Sequence, residues 1–132
     1  MDVALAYAGS VLALGAMALL MLVQLLVADV IGIRAKHVPG TPVLADHQSL
    51  LFRTTRTVAN TNESIAVFIL AILFCILSGA SPAYTAYAAW AFVLSRALYA
   101  VFYYCNLQTL RSSIFAVAIL SLVAMLILGF SA

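Results

Sequence analysis

A long uncharged stretch near the start of the chain restricts its fold more than any other feature. No charged residue occurs from Val3 to Ala28, a run of 26 residues. As a helix rising about 1.5 Å per residue, this run is about 39 Å long, enough to cross a hydrocarbon core of about 30 Å with some tilt. A second uncharged run covers the last 21 residues, from Ser112 to Ala132. These runs predict an integral membrane protein surrounded by lipids.

Composition agrees with this prediction and excludes several other classes of protein. Apolar types make up 67% of the 132 residues and charged types only 8%, whereas soluble domains have about 45–50% and about 25%. A soluble fold of this length cannot keep so much apolar surface dry, because small domains are mostly surface. The two cysteines form no C-x-x-C pair, which excludes a disulfide scaffold. A net charge of +2 without a basic run argues against a nucleic-acid partner.

The charged and turn-forming residues divide the chain into four predicted spans. The only long connection is 34–47, which holds two turn signals with proline. Asp46 is predicted to cap the second span, and Ser81 with Pro82 to begin the third. The predicted helices cover about 3–33, 48–77, 82–105 and 110–131. The sequence therefore predicts an all-α fold, an integral membrane four-helix up-down bundle with a single domain over 1–132.

The basic residues predict the orientation of this bundle in the membrane. All six fall toward one face: Arg34, Lys36, Arg53, Arg56, Arg96 and Arg111. The opposite face has only the termini and the 78–82 turn, which contain no Lys or Arg. By the positive-inside rule, the 34–47 loop is cytoplasmic and both termini lie outside.

The second span carries a polar stripe that is unusual for a membrane helix. Arg53, Arg56, Asn60 and Glu63 follow at spacings of 3, 4 and 3, which places them within about 80° of the helix surface. A charged group facing lipid costs about 2.5–3.5 kcal/mol near the bilayer centre. The stripe is therefore predicted to face the bundle interior or a wet cavity. The alternative is a structural seam in which Glu63 pairs with an arginine.

The third and fourth spans carry further polar residues at the same depth. Arg96, Tyr99 and Tyr103 share one helical face, and Arg111 stands at the start of the fourth span, followed by Ser112. Tyrosines are also common in interfacial belts, and an arginine at a helix end also anchors to headgroups; these alternatives remain open here. Together the three spans suit a small zwitterionic ligand. The carboxylates of such a ligand would bind arginine. Its ammonium group would bind the carboxylate of the second span, and its amides would bind asparagine.

Two motifs and a following arginine resemble one family of membrane proteins. The motif R-x-x-x-N-x-x-E runs from Arg56 to Glu63, and R-x-x-Y-x-x-x-Y runs from Arg96 to Tyr103; after a short turn comes Arg111. This order, over nearly the whole chain, is similar to the MAPEG family, the membrane-associated proteins in eicosanoid and glutathione metabolism. The compact, alanine-rich sequence looks most like its small bacterial members, which implies a bacterial inner membrane.

The resemblance implies a homotrimer of four-helix subunits that binds glutathione between neighbouring copies. Arg111 looks like the arginine that stabilises the glutathione thiolate, with Ser112 beside the sulfur. The implied activity is a transferase or peroxidase that acts on a hydrophobic electrophile. Residues matching glutathione-site positions are Arg34, Arg56, Asn60, Glu63, Tyr99 and Tyr103, and the stripes add Arg53 and Arg96 to the predicted binding set.

Two other functions remain possible at this point. The family also contains non-catalytic members, so the chain is alternatively a scaffold that binds a lipid or a membrane partner. A small four-helix exporter would need a titratable carboxylate deep in a span, for which Glu63 is the sole candidate. His37 and His47 lie ten residues apart in the loop, beside Asp46. We predict solvated histidines there and no metal site.

Overall fold

A computed structural model describes residues 2–132, and this range contains five helices. They are α1 (Val3–Ala6), α2 (Ala8–Arg34), α3 (Leu50–Ser78), α4 (Pro82–Tyr104) and α5 (Gln108–Phe130). Helices α2 to α5 are each long and apolar enough to cross a membrane. The all-helical architecture with four spans, expected from the sequence, is confirmed.

The first predicted span contains a local break at Tyr7, which separates α1 from α2. Helical hydrogen bonds continue across the break, from the Tyr7 amide to the Val3 carbonyl and from the Val11 amide to the Tyr7 carbonyl, both 3.0 Å. The side chain of Tyr7 is buried, and its hydroxyl donates to the Ala80 carbonyl. The start of α2 is thereby fixed to the connection between α3 and α4.

The cap of α3 differs from the prediction. Ser49 is the N-cap, and its hydroxyl accepts a hydrogen bond from the Phe52 amide at 3.4 Å. The prediction of Asp46 is wrong, because its carboxylate accepts instead from the Gln48 amide at 2.9 Å, within the loop. Helix α3 therefore begins at Leu50, after a turn that the aspartate stabilises.

The connection between α3 and α4 is a tight turn built on Gly79. This residue has φ +77°, a left-handed conformation that glycine adopts without steric cost. It allows the Ala80 amide to reach back to the Cys75 carbonyl at 3.0 Å, which closes the end of α3. Pro82 is the first residue of α4 as predicted, although the side chain of Ser81 makes no capping bond.

Helices α3 and α4 form the centre of the bundle, because each contacts the other and both α2 and α5. Their contact is marked by Phe68 and Phe92, whose buried rings stack at 4.4 Å between centroids. Met17 on α2 and Met125 on α5 are also fully buried in this core. The central position of α3 and α4 brings their polar stripes together.

The distribution of polarity fits a lipid environment. Large apolar side chains such as Leu12 and Leu70 are two-thirds exposed, whereas the interior holds Arg96, a glutamine and seven serines and threonines. Buried hydroxyls such as those of Thr57 and Ser95 donate to carbonyls of their own helix, both at 2.7 Å. This satisfies the hydroxyls without water.

Candidate functional site

The most strongly charged contact of the fold is an ion pair on α3. Arg56 Nη1 lies 2.7 Å from Glu63 Oε1, and Arg56 Nη2 lies 3.4 Å from Glu63 Oε2. In a single copy of the chain these side chains are 38% and 57% exposed. Glu63 stands about 20 Å along α3 from its first residue, which places the pair deep in the span. Charged groups at such a depth need cover from lipid.

Asn60 connects this pair to a second, buried arginine. The Asn60 Nδ2 group donates to Glu63 Oε2 at 3.3 Å, and its Oδ1 accepts from Arg96 Nη2 at 2.6 Å. Arg96 is completely buried and also donates to Thr61 Oγ1 at 3.2 Å. Arg96 therefore fixes both the position and the orientation of the Asn60 amide. The two predicted stripes meet at this contact between α3 and α4.

Aromatic rings and guanidinium groups alternate from Arg96 towards α5. The Cζ atom of Arg96 lies 4.4 Å from the centroid of Tyr99, and that of Arg111 lies 4.6 Å from the centroid of Tyr103. The two tyrosine rings are 5.7 Å apart and only 2% and 1% exposed. Such burial excludes the interfacial-belt alternative for both. Each ring instead presents a face to a cation.

The short turn before α5 places Arg111 beside Tyr103. Asn106 adopts a left-handed conformation with φ +59°, which lets the Leu107 amide reach the Phe102 carbonyl at 2.8 Å. Helix α5 therefore starts at Gln108, directly after α4 ends. The first turn of α5 consequently lies against the last turn of α4, and Arg111 covers the Tyr103 ring instead of extending away from it.

A cavity of about 170 Å³ lies where α3, α4 and α5 meet. Its lining residues are Asn60, Tyr99, Arg111, Ser112 and Phe115. The Nε atom of Arg111 is buried and has no hydrogen-bond partner within residues 2–132. The cavity thus joins an amide of α3, a tyrosine of α4 and an arginine of α5. The carboxylate of Glu63 and the guanidinium groups of Arg56 and Arg96 do not line it.

The charge of this region is strongly positive. Three guanidinium groups, those of Arg56, Arg96 and Arg111, lie on or beside the cavity lining with the single carboxylate of Glu63, which leaves a net charge of +2. In the part of the chain that the structure describes, only Arg56 has a carboxylate partner. Arg96 also has two buried donors, Nε and Nη1, without an acceptor among these residues. An anionic ligand would balance this charge.

Six predicted binding residues do not line the cavity. Four of them adjoin its lining residues through the contacts described above, namely Arg56, Glu63, Arg96 and Tyr103. The other two lie apart from it. Arg53 donates to the carbonyls of His47 at 2.7 Å and Tyr104 at 3.3 Å, so it joins the loop to the end of α4. Arg53 belongs to the same polar stripe of α3 as Arg56 and Asn60. Because helical side chains lean towards the N-terminus, its guanidinium nevertheless points to the start of α3. Arg34 is exposed in the last turn of α2. Within residues 2–132 it makes no hydrogen bond or ion pair with the cavity residues.

His47 is a neighbour of the site that the sequence did not indicate. Its Nδ1 atom lies 3.2 Å from the Tyr103 hydroxyl, and its ring packs edge-on against Phe52 at 5.2 Å between centroids. His47 is exposed, as predicted for a solvated histidine, but it also makes this contact with the site. Nothing local marks this contact, because it depends on how the loop folds over α4. Across the described chain, no three His, Cys, Asp or Glu side chains gather as a metal site.

Comparison with known proteins gives one match. The model of the MAPEG family matches residues 7–131, essentially the whole chain. No curated protein and no solved structure matches the sequence. The matched range includes α2 to α5 completely, and with them every residue of the cavity.

Proposed function

The chain belongs to the MAPEG family, and from this premise we propose that it is a membrane-embedded, glutathione-dependent transferase or peroxidase. Its second substrate is a hydrophobic electrophile that reaches the site from the lipid. The observation that carries the proposal is the cavity between α3, α4 and α5, which Arg111 lines together with Asn60 and Ser112. This guanidinium has no carboxylate partner among residues 2–132.

The charges around the cavity suit glutathione, which has two carboxylates, one ammonium group and two amides. The arginines offer donors for the carboxylates, and arginine is well shaped to bind a carboxylate through two hydrogen bonds. Glu63 offers the negative charge for the ammonium group, and Asn60 offers an amide. Tyr99 forms one wall of the cavity. Tyr103 supports that wall from behind through its contact with Arg111.

Arg111 is proposed to hold the glutathione sulfur as a thiolate. A free thiol has a pKa of about 8.5, so only a few per cent is ionised at neutral pH. A guanidinium about 4 Å from the sulfur, at an effective dielectric constant of about 20, contributes up to about 4 kcal/mol. One third of that lowers the thiol pKa by about one unit. The thiolate then attacks an electrophilic carbon, and a C–S bond forms as a leaving group such as a halide departs. With a peroxide, the thiolate attacks one oxygen, the O–O bond breaks, and glutathione sulfenic acid and an alcohol form. A second glutathione then reduces the sulfenic acid, which yields glutathione disulfide and water.

The size of the cavity supports the proposal that one copy of the chain supplies only part of the binding site. Ligand pockets usually measure about 300–1,000 Å³, whereas this cavity measures about 170 Å³. The remainder of glutathione is proposed to lie along the exposed pair of Arg56 and Glu63. A neighbouring copy in a homotrimer would cover that pair and bring its own Arg34, which is exposed here.

A second observation supports self-association. Asn62 is exposed on α3 at the depth of Glu63, and beside it lies Gln24, which is 2% exposed. Neither polar atom of the Gln24 amide has a partner within residues 2–132. Both residues line a cavity of about 170 Å³ between α2 and α3. Polar groups in a bilayer seek partners on neighbouring helices, so this face suits contact with a second copy.

Binding and turnover in purified protein test the proposed function together. Wild-type protein in lipid nanodiscs is expected to bind glutathione in a calorimetric titration and to conjugate it to a generic aromatic electrophile. Arg111→Ala is expected to lower turnover by about tenfold or more, since about one unit of thiol pKa is lost. Lys36→Ala removes a cation from the loop outside the cavity and serves as the control.

The outcomes separate the proposed function from its alternatives. Glutathione binding without turnover of any electrophile or peroxide would support a non-catalytic member of the family. Absence of glutathione binding would contradict the proposal. Proton-coupled dye efflux from proteoliposomes that disappears in Glu63→Gln would support an exporter, although Glu63 is already paired with Arg56.

A further inference from the structure

The loop between α2 and α3 is attached to the end of α4 at two points. Arg53 Nη1 donates to the His47 carbonyl at 2.7 Å, and Arg53 Nη2 donates to the Tyr104 carbonyl at 3.3 Å. One residue away, the imidazole of His47 meets the Tyr103 hydroxyl at 3.2 Å. The edge of Phe52 supports the imidazole from α3. The backbone and the side chain of His47 are therefore both fixed relative to α4.

His47 is separated from the cavity by a single aromatic ring. Tyr103 is 1% exposed, and the guanidinium of Arg111 lies over its face at 4.6 Å. Arg111 in turn lines the cavity, whereas His47 does not. A change at the Tyr103 hydroxyl can therefore reach the cavity through the Tyr103 ring, which contacts both Arg111 and Tyr99.

We infer that His47 is a positioning residue that holds the Tyr103 ring, and through it Arg111, in place for activation of the glutathione thiol. This inference rests on the proposed function. In the tautomer that carries its proton on Nε2, neutral His47 accepts a hydrogen bond from the Tyr103 hydroxyl at Nδ1, which fixes the direction of the phenol. An electron-rich ring face then attracts the Arg111 guanidinium.

Protonation of His47 reverses this arrangement. Once protonated, Nδ1 donates to the Tyr103 oxygen, which draws electron density from the ring, and a second positive charge stands near Arg111. Both effects weaken the attraction between the ring and the guanidinium. The charged and titratable groups around His47 are Asp46 in the loop, Arg53 on α3, Tyr103 on α4 and, beyond the ring, Arg111 on α5.

The pH dependence of turnover distinguishes positioning from a merely structural role. His47→Asn keeps an acceptor oxygen near Nδ1 but cannot titrate. We expect the kcat of wild type, divided by the kcat of His47→Asn, to fall about two- to tenfold between pH 8 and pH 5.5. Loss of one neutral hydrogen bond changes a rate by about this factor. Ionisation of the glutathione thiol cancels in this ratio. The KM for glutathione is expected to stay within about twofold, because His47 does not line the cavity.

The same loop offers a matched control. His37 lies ten residues before His47, and its Nε2 atom is 3.1 Å from the Thr41 carbonyl. The ratio of wild-type to His37→Asn kcat is expected to remain flat over the same pH range. In a Tyr103→Phe background, His47→Leu is expected to cause no further loss of kcat, because the hydroxyl through which it acts is gone.

Each outcome decides between the two proposals. A flat ratio for His47→Asn, in a wild-type protein that binds and turns over glutathione, overturns the role of His47 and leaves the proposed function standing. If His47→Leu lowers kcat equally in the wild-type and Tyr103→Phe backgrounds, the role of His47 is likewise overturned and the proposed function stands. Wild-type protein that neither binds nor turns over glutathione overturns both.

Discussion

Replacing the buried Arg96 with methionine is expected to separate ligand binding from stability. Arg96 does not line the cavity, but its 2.6 Å hydrogen bond holds the Asn60 amide that does. A hydrogen bond to a charged group is worth about 1.5–3 kcal/mol. If that energy fixes Asn60 for the ligand, Arg96→Met weakens glutathione binding by about tenfold to a hundredfold.

The stability of the same variant is expected to change little. Burial of an arginine without a carboxylate partner costs several kcal/mol, and two of the donors of Arg96 are unpaired within residues 2–132. Methionine removes that cost and fills a similar volume. It also leaves the oxygens of Asn60 and Thr61 without their donor, which costs about 1–3 kcal/mol. These effects oppose each other, so we expect a Tm within about 4 °C of wild type.

Two measurements on one preparation test this prediction. Calorimetry gives the affinity for glutathione, and the fluorescence of Trp90, the single tryptophan, follows thermal unfolding. Ser95→Ala is the matched control, because it removes a neighbouring buried hydroxyl that bonds only within α4. A Tm more than about 10 °C lower, with unchanged affinity, would show that Arg96 only supports the fold and would refute the reasoning.

Three further outcomes follow from other parts of the structure. Arg53→Met removes two hydrogen bonds to loop and α4 carbonyls, so it should lower the free energy of unfolding by about 1–3 kcal/mol while glutathione affinity stays within about threefold. Gly9→Ala brings a new Cβ to 2.9 Å from the Cβ of Ala86, so it should destabilise the α2–α4 contact by about 1–3 kcal/mol. Gly15→Ala, which meets open space, should be neutral in the same unfolding assay. A cysteine at Ala45 in a cysteine-free chain should react with an impermeant maleimide in inside-out vesicles and not in intact cells, if the loop is cytoplasmic.

The helices could be predicted because their determinants are local. Uncharged runs, Pro82 and the turn around Gly79 mark the spans within a few residues. The break at Tyr7 could not be predicted, because nothing near it in the sequence marks the distant carbonyl of Ala80 that its hydroxyl reaches. Asp46 failed as a cap for a related reason. Two acceptors, Asp46 and Ser49, stood near the start of α3, and spacing alone did not decide between them.

The candidate site also contains residues that the sequence could predict and residues that it could not. Helical periodicity correctly placed Arg56, Asn60 and Glu63 on one face, and their hydrogen bonds follow that spacing. Periodicity gives the direction of a Cβ atom and not the end of a long side chain, so Arg53 was expected at the cavity and lies at the loop. His47 depends on a contact across 56 residues, which no pattern in one sequence reveals.

The pKa of the thiol in bound glutathione tests most directly whether these groups form a site for a thiolate. It can be followed by titrating the ultraviolet absorbance of the thiolate in wild-type protein and in Arg111→Ala. We predict a thiol pKa about one unit below the free value of about 8.5 in wild type, and a return to about that value in Arg111→Ala. Bound glutathione whose thiol keeps its free pKa in wild type, or the same lowered pKa in both proteins, would contradict the account.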